Sequence, residues 1–179
     1  MLSKTFSGII DGIDGAIITI EADVSKGMPY FNIIGVPDTA VKESKDRIRA
    51  SILNSELPFP EAKITLNLAP ASIRKEGAVF DLGGAIAILS ASEIFNNRDL
   101  SKYFFINKLL LSGEINSVAG VLPLALTARQ NKFEYAVVPD ENKCEAGIIE
   151  NIKIIPVKSL AQTVKYLNGE LEIQPYSTP

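Results

Sequence analysis

Four basic residues, Lys42, Lys45, Arg47 and Arg49, recur within one short stretch, and Arg74-Lys75 form a second basic pair further along the chain. A guanidinium pairs bidentately with phosphate or carboxylate, so such groups can hold DNA phosphates or an acidic neighbouring subunit. Glu43 and Asp46 interrupt the first stretch, which leaves a second reading open: a solvated helix face, with the Arg74-Lys75 segment tied down by local ion pairs. Three polar residues flank that segment. Asp81 precedes an apolar run as a helix N-cap would, Asn67 suits a hydrogen-bonding position at a strand end, and Glu76 is placed to pair with a nearby arginine. Cys144 is the single cysteine and is read as an incidental thiol.

Other chemistries are excluded by residue type. The chain has no histidine, which removes the commonest general base, the commonest zinc ligand and any Ser-His-Asp arrangement. No Gly-x-x-x-x-Gly-Lys-Ser/Thr sequence occurs, so the loop that cradles nucleotide phosphates is absent and this chain is not expected to hydrolyse ATP. Gly83-Gly84 lie inside an apolar run, where adjacent glycines permit close packing rather than phosphate binding.

The 179 residues suffice for one domain with a short appendage, and 46% apolar composition is ordinary for a globular core. A net charge of −3 gives no global attraction to nucleic acid, so any such contact must be local. With no disulfide framework and no secretory pattern in its opening residues, the chain reads as cytoplasmic. The run Leu82 to Ala91 is too short for a membrane span and is predicted to be a buried central helix; no membrane partner is expected.

The elements that must position these groups follow from periodicity and turn chemistry. Phe6 to Asp23 predicts a hairpin turning near Asp11 to Asp14, and Tyr30 to Val36 a third strand. Asp38 is placed as N-cap of a helix over Thr39 to Asn54, which Pro58 and Pro60 end. Ile64, Leu66 and Leu68 alternate as in a half-buried strand, and Ala69 to Phe80 is a loop leading to the helix at Asp81. Phe104 to Ser112 and the following Gly113-Glu114 turn read as strands, Val121 to Gln130 as a helix and Tyr135 to Val138 as a strand. A short helix over Glu141 to Gly147, a strand over Ile152 to Ile155 and a helix over Ser159 to Leu167 complete the pattern. Residues 1–169 are expected to form the domain, and 170–179 a tail or linker. Early strands followed by mixed elements favour an α+β fold with two layers, helix on sheet.

Several ordered blocks carry a resemblance: Gly35-Val36-Pro37-Asp38-Thr39-Ala40-Val41-Lys42-Glu43-Ser44, Asn54-Ser55, Phe59-Pro60, Ile64-Thr65-Leu66-Asn67-Leu68-Ala69-Pro70-Ala71, Arg74-Lys75-Glu76-Gly77, and Phe80-Asp81-Leu82. Ser112-Gly113-Glu114 and Gly120-Val121-Leu122-Pro123 extend it. Over Met1 to about Tyr166 the chain resembles the amino-terminal region of the ComM/YifB family, magnesium-chelatase ChlI-like AAA+ proteins. Ala78-Val79 stand where the family usually has Pro-Ser, and Gly83 where it has a proline.

The resemblance implies a ribosomal-protein-S5-domain-2-like fold, similar to the proteolytic domain of Lon and the carboxy-terminal domain of RadA. It implies a following AAA+ module, absent here, that would use ATP and Mg, and a hexameric motor promoting DNA branch migration during natural transformation. Single-stranded or branched DNA and further copies of the chain are the implied partners. Within the motifs, Pro37, Asp38, Asn67, Pro70, Glu76, Gly77 and Asp81 are expected to serve structure, while Lys42, Lys45, Arg47, Arg49, Arg74 and Lys75 are the candidates for DNA or subunit contact. Alignment with Lon puts Val79 at the nucleophilic serine and Leu122 near the lysine. Alkyl side chains neither attack a carbonyl nor accept a proton, so no peptidase activity is expected. A purely structural oligomerisation domain, a relic Lon-like peptidase and a magnesium-chelatase-associated domain are the competing readings.

Overall fold

The computed structural model describes residues 1–73, 75, 79–94 and 99–179, with Asp38 described by its backbone alone. Strands β1 (Leu2–Asp11) and β2 (Asp14–Ser25) form the expected hairpin. Its two-residue turn places Gly12 at φ 68°, a left-handed conformation that glycine adopts without steric cost. Then follow β3 (Tyr30–Ile34), α1 (Asp38–Asn54), β4 (Lys63–Ala69), α2 (Asp81–Ala91), β5 (Tyr103–Phe105), α3 (Val121–Gln130) and β6 (Tyr135–Pro139). The chain continues through α4 (Lys143–Ala146), β7 (Lys153–Val157) and α5 (Leu160–Leu167).

The strands make one mixed sheet in the order β3-β4-β2-β1-β5-β6-β7. Pairings β1 with β2 and β2 with β4 are antiparallel; β3 with β4 and the run β1-β5-β6-β7 are parallel. Mixed pairing with helices following the strands fits the expected α+β class. The layering is fuller than expected. Tyr103, Phe105, Val137 and Ile155 face one apolar cluster, which α2 shares, whereas Phe104, Ala136, Val138 and Ile154 face a second cluster, which α3 shares. Parallel strands need crossover helices, and these cover both faces of the β5–β7 half, so the expected two layers become three there.

Helix α2 is buried along its whole length, as its all-round apolar character requires. Its glycines set how closely it docks. A Cβ on Gly83 would lie 3.0 Å from Ile20 Cδ1, and one on Gly84 would lie 3.3 Å from Ile48 Cδ1 of α1. Close packing therefore accounts for the glycine pair.

Three expectations are corrected. Helix α1 starts at Asp38, with Pro37 at the N-cap in extended geometry (φ −56°, ψ 141°), so Asp38 is the first helical residue and not the cap. The strand expected over Phe104 to Ser112 ends at Phe105, with Ile106 N still donating to Val137 O; beyond it Asn107 and Leu109 bond to Val79, Leu82 and Asp81 at the start of α2, and Leu109 makes an isolated bridge with Ile115. Asn67 lies within β4 and is exposed, paired in register with Glu21 and Ile34, rather than at a strand end.

The segment 170–179 lies along β7. Tyr176 N donates to Ile154 O at 2.8 Å, Thr178 N donates to Gly147 O at 3.1 Å, and Ile173 packs on the main core. Among the described residues, no helix is long and apolar enough to cross a membrane.

Candidate functional site

Helix α1 turns Ser44, Ile48, Ser51 and Ile52 into the protein and leaves Lys42, Glu43, Asp46 and Arg49 exposed. Helical spacing alone does not distinguish Arg47 from its basic neighbours, but α2 does. Arg47 is 19% exposed at its side chain and donates from Nε to Asp81 Oδ2 at 2.9 Å, with Ser44 Oγ at 3.2 Å and Glu43 at 3.9 Å. Its hydrogen bonds are therefore directed inward, onto Asp81 and Ser44.

Asp81 is fully buried, and Phe80 holds the N-cap position of α2, so Asp81 does not cap the helix as expected. Its Oδ2 also accepts from Leu109 N at 3.3 Å, which fixes the turn after β5. Burial pushes its carboxyl up to about 6, against the opposing pull of the Arg47 hydrogen bond and charge and, more weakly, of Leu109 N and Lys108. Next to it, Asn107 is fully buried; its backbone joins Val79 O and Leu82 N, while its side-chain amide has no hydrogen-bond partner among the described residues, and neither has Asp81 Oδ1. Sequence reading missed Asn107, although an amide inside Phe104-Phe105-Ile106-Asn107-Lys108-Leu109 is itself a signal.

Lys75 also turns inward. It is 2% exposed and donates from Nζ to the carbonyls of Pro70 and Ile73, so it staples the loop after β4. Desolvation lowers its pKa from the usual lysine value. Pro70 follows Ala69 through a cis peptide bond. Arg74, Glu76 and Gly77 lie outside the described residues.

Two of the remaining basic candidates, Lys45 and Arg49, line a cavity of about 470 Å³ between α1, the start of β3 and the loop before β4. Pro29, Tyr30, Phe31, Asp46, Leu53, Phe59, Pro60, Glu61 and Ala62 complete its wall. Arg49 sits 5.5 Å over the Phe59 ring, whose other neighbour is Phe31 at 5.6 Å. Tyr30 is half exposed.

Val79 and Leu122 occupy dissimilar places. Val79 is partly buried before α2, with its carbonyl accepting from Ser7 Oγ and Asn107 N, whereas Leu122 is exposed in the first turn of α3. Neither side chain carries a heteroatom. Gly83 and Gly84 are packed by Ile20 and Ile48, and no group of three or more metal-ligating residues occurs among the described residues.

Residues 20–142 match the family model described as subunit ChlI of Mg-chelatase. The chain belongs to this ChlI family. Its relatives include an uncharacterized protein of Mycobacterium tuberculosis, 38% identical over 94% of this chain and 33% of that protein. Competence protein ComM of Haemophilus influenzae is 36% identical over 94% of the chain and 33% of ComM, and YifB of Escherichia coli is 37% identical over 89% and 31%. This ChlI-family chain thus spans about a third of the length of the curated relatives it matches. Weaker similarity reaches the archaeal Lon protease of Methanocaldococcus jannaschii, 23% identical over 88% of the chain and 25% of that protease. It also reaches DNA repair protein RadA of Campylobacter jejuni, 29% identical over 63% of the chain and 24% of RadA.

Proposed function

We propose that this chain is the non-catalytic amino-terminal domain of a ComM-like AAA+ ATPase that processes DNA, and that it engages single-stranded or branched DNA. The observation that carries the reading is the match to ComM along nearly the whole chain, over a third of that protein. An S5-domain-2-like fold, a cytoplasmic location, and an ATP- and Mg-dependent hexameric motor in the rest of the protein belong to the same proposal. The alkyl residues Val79 and Leu122 support a domain without peptidase chemistry. With Arg47 and Lys75 turned inward, Lys42, Lys45 and Arg49 are the described candidates left for contact with phosphates.

Fluorescence anisotropy of labelled single-stranded and forked DNA with the 179-residue chain tests this. Weak binding that falls as salt rises is expected, reduced by Lys45→Ala with Arg49→Ala and unchanged by Lys75→Gln. Absence of binding at low salt, or binding indifferent to the α1 cations, overturns it. A purely structural role in ring assembly is the second reading, favoured if sedimentation shows self-association while DNA affinity is nil.

A further inference from the structure

We infer that the cavity between α1 and β3 is a base pocket for single-stranded nucleic acid, with preference for a base bearing an exocyclic amino group. This deepens the proposed DNA engagement and rests on it. Its warrant is the combination of groups in one cavity. Half-exposed Tyr30 offers a π face, and Arg49, covering the Phe59 ring, adds a guanidinium plane beside it. Bases splayed from a single strand stack on aromatic rings and on arginine planes. The volume of about 470 Å³ falls within the usual range for small-ligand pockets.

The charges in the cavity decide between a phosphate groove and a base pocket. A surface built only to track phosphates would be lined by cations, yet here Asp46 and Glu61 share the wall with Lys45 and Arg49. Carboxylates repel phosphate but accept hydrogen bonds from amino groups, the contact by which acidic side chains select cytosine N4. Lys45 and Arg49 then neutralise the flanking phosphates while Asp46 or Glu61 reads the base edge. Thymine has no amino group, and its one edge donor, N3–H, is flanked by two carbonyl oxygens that repel a carboxylate, so it pairs less well with Asp46 or Glu61.

Two consequences distinguish the pocket from general electrostatic attraction. The salt dependence is shallow, matching about two phosphates, and the base preference depends on the acids and not on the cations.

The experiment compares fluorescein-labelled oligo-dC and oligo-dT of equal length, by anisotropy, on wild type, Tyr30→Ala and the double variant Asp46→Asn, Glu61→Gln. These side chains lie at the surface or on the cavity wall, and matched urea midpoints establish that the variants are folded. The expected result is tighter binding of oligo-dC, at least fivefold weaker binding for Tyr30→Ala, equivalent to about 1 kcal/mol of stacking, and loss of the dC preference in the double variant. Binding that persists unchanged in Tyr30→Ala, or equal affinity for dC and dT in wild type, overturns the pocket while leaving DNA engagement standing. No binding of either oligonucleotide overturns both.

Discussion

Arg47 Nε lies 2.9 Å from Asp81 Oδ2, and this one contact joins the first helix, half exposed on its outer face, to a helix with no exposed residue. Through Leu109 N the same carboxylate also holds the turn that follows β5. Removing one partner of a buried pair leaves an uncompensated charge, which costs more than the pair itself contributes. Arg47→Leu is therefore expected to lower stability by about 3 kcal/mol near neutral pH. Adding Asp81→Asn should recover part of that loss, because the stranded charge is gone. Urea unfolding of the four members of the cycle measures the coupling, and an Arg47→Leu protein as stable as wild type would show that the contact contributes nothing.

The Asp81 carboxyl gives the fold a pH dependence of unusual sign. Burial raises its folded pKa from 3.8 to about 6, so between those values the folded chain holds a proton that the unfolded chain has released. Its contribution is fully present below about pH 3.8 and is lost as pH rises through about 6, opposite to the usual salt-bridged carboxylate. The stability of wild type relative to Asp81→Asn should accordingly fall by about 2 kcal/mol from pH 4 to pH 6.5. Parallel curves for the two proteins across that range would refute the assignment. Arg47 and Lys108 are the charges that oppose the shift, so Arg47→Leu should move the window upward.

Local order was legible in the sequence wherever pattern and punctuation agreed. The helix over Val121 to Gln130 after Gly120, the hairpin turning at Asp11 to Asp14 and the alternation of Ile64, Leu66 and Leu68 all appear at the expected places. What the sequence concealed was direction. Lys42, Lys45, Arg47 and Arg49 have the same charge, but only packing against α2 turns Arg47 onto Asp81, and only the loop geometry after Pro70 draws Lys75 inward. The aromatic side of the cavity was hidden for a similar reason: Tyr30 and Phe59 are distant in sequence, and the parallel pairing of β3 with β4 brings their neighbourhoods together. The strand run after Phe105 was overread because buried apolar residues such as Ile106 and Leu109 continue the strand-like pattern while the backbone turns to bond Val79, Leu82 and Asp81.

The carboxy-terminal segment offers a test independent of any ligand. Gly147 follows α4 with φ −66°, a conformation alanine adopts freely, so backbone preference does not require glycine there. The surroundings do: a Cβ would lie 2.7 Å from Thr178 Oγ1, 2.8 Å from Tyr176 Cδ1 and 2.9 Å from Lys143 O. Two of these three atoms belong to the segment that lies along β7, whose end is held by two backbone hydrogen bonds, the Thr178 hydroxyl on Cys144 O at 2.5 Å, the Tyr176 hydroxyl 3.5 Å from Cys144 Sγ and the Lys143 ammonium 5.5 Å from the Tyr176 ring, while Ile173 packs on the core further back. The cheapest relief of the clash is to release that segment, since α4 is anchored by buried Ala146 and by Asn142, whose side chain pairs with both backbone groups of Val118. Gly147→Ala should therefore speed amide hydrogen exchange at Tyr176 and Thr178 by an order of magnitude or more, while β6 and β7 amides other than those facing the segment keep their protection. Equal acceleration across β6 and β7 would mean that the clash is absorbed by α4 and the sheet, and that the segment is held more firmly than its contacts suggest.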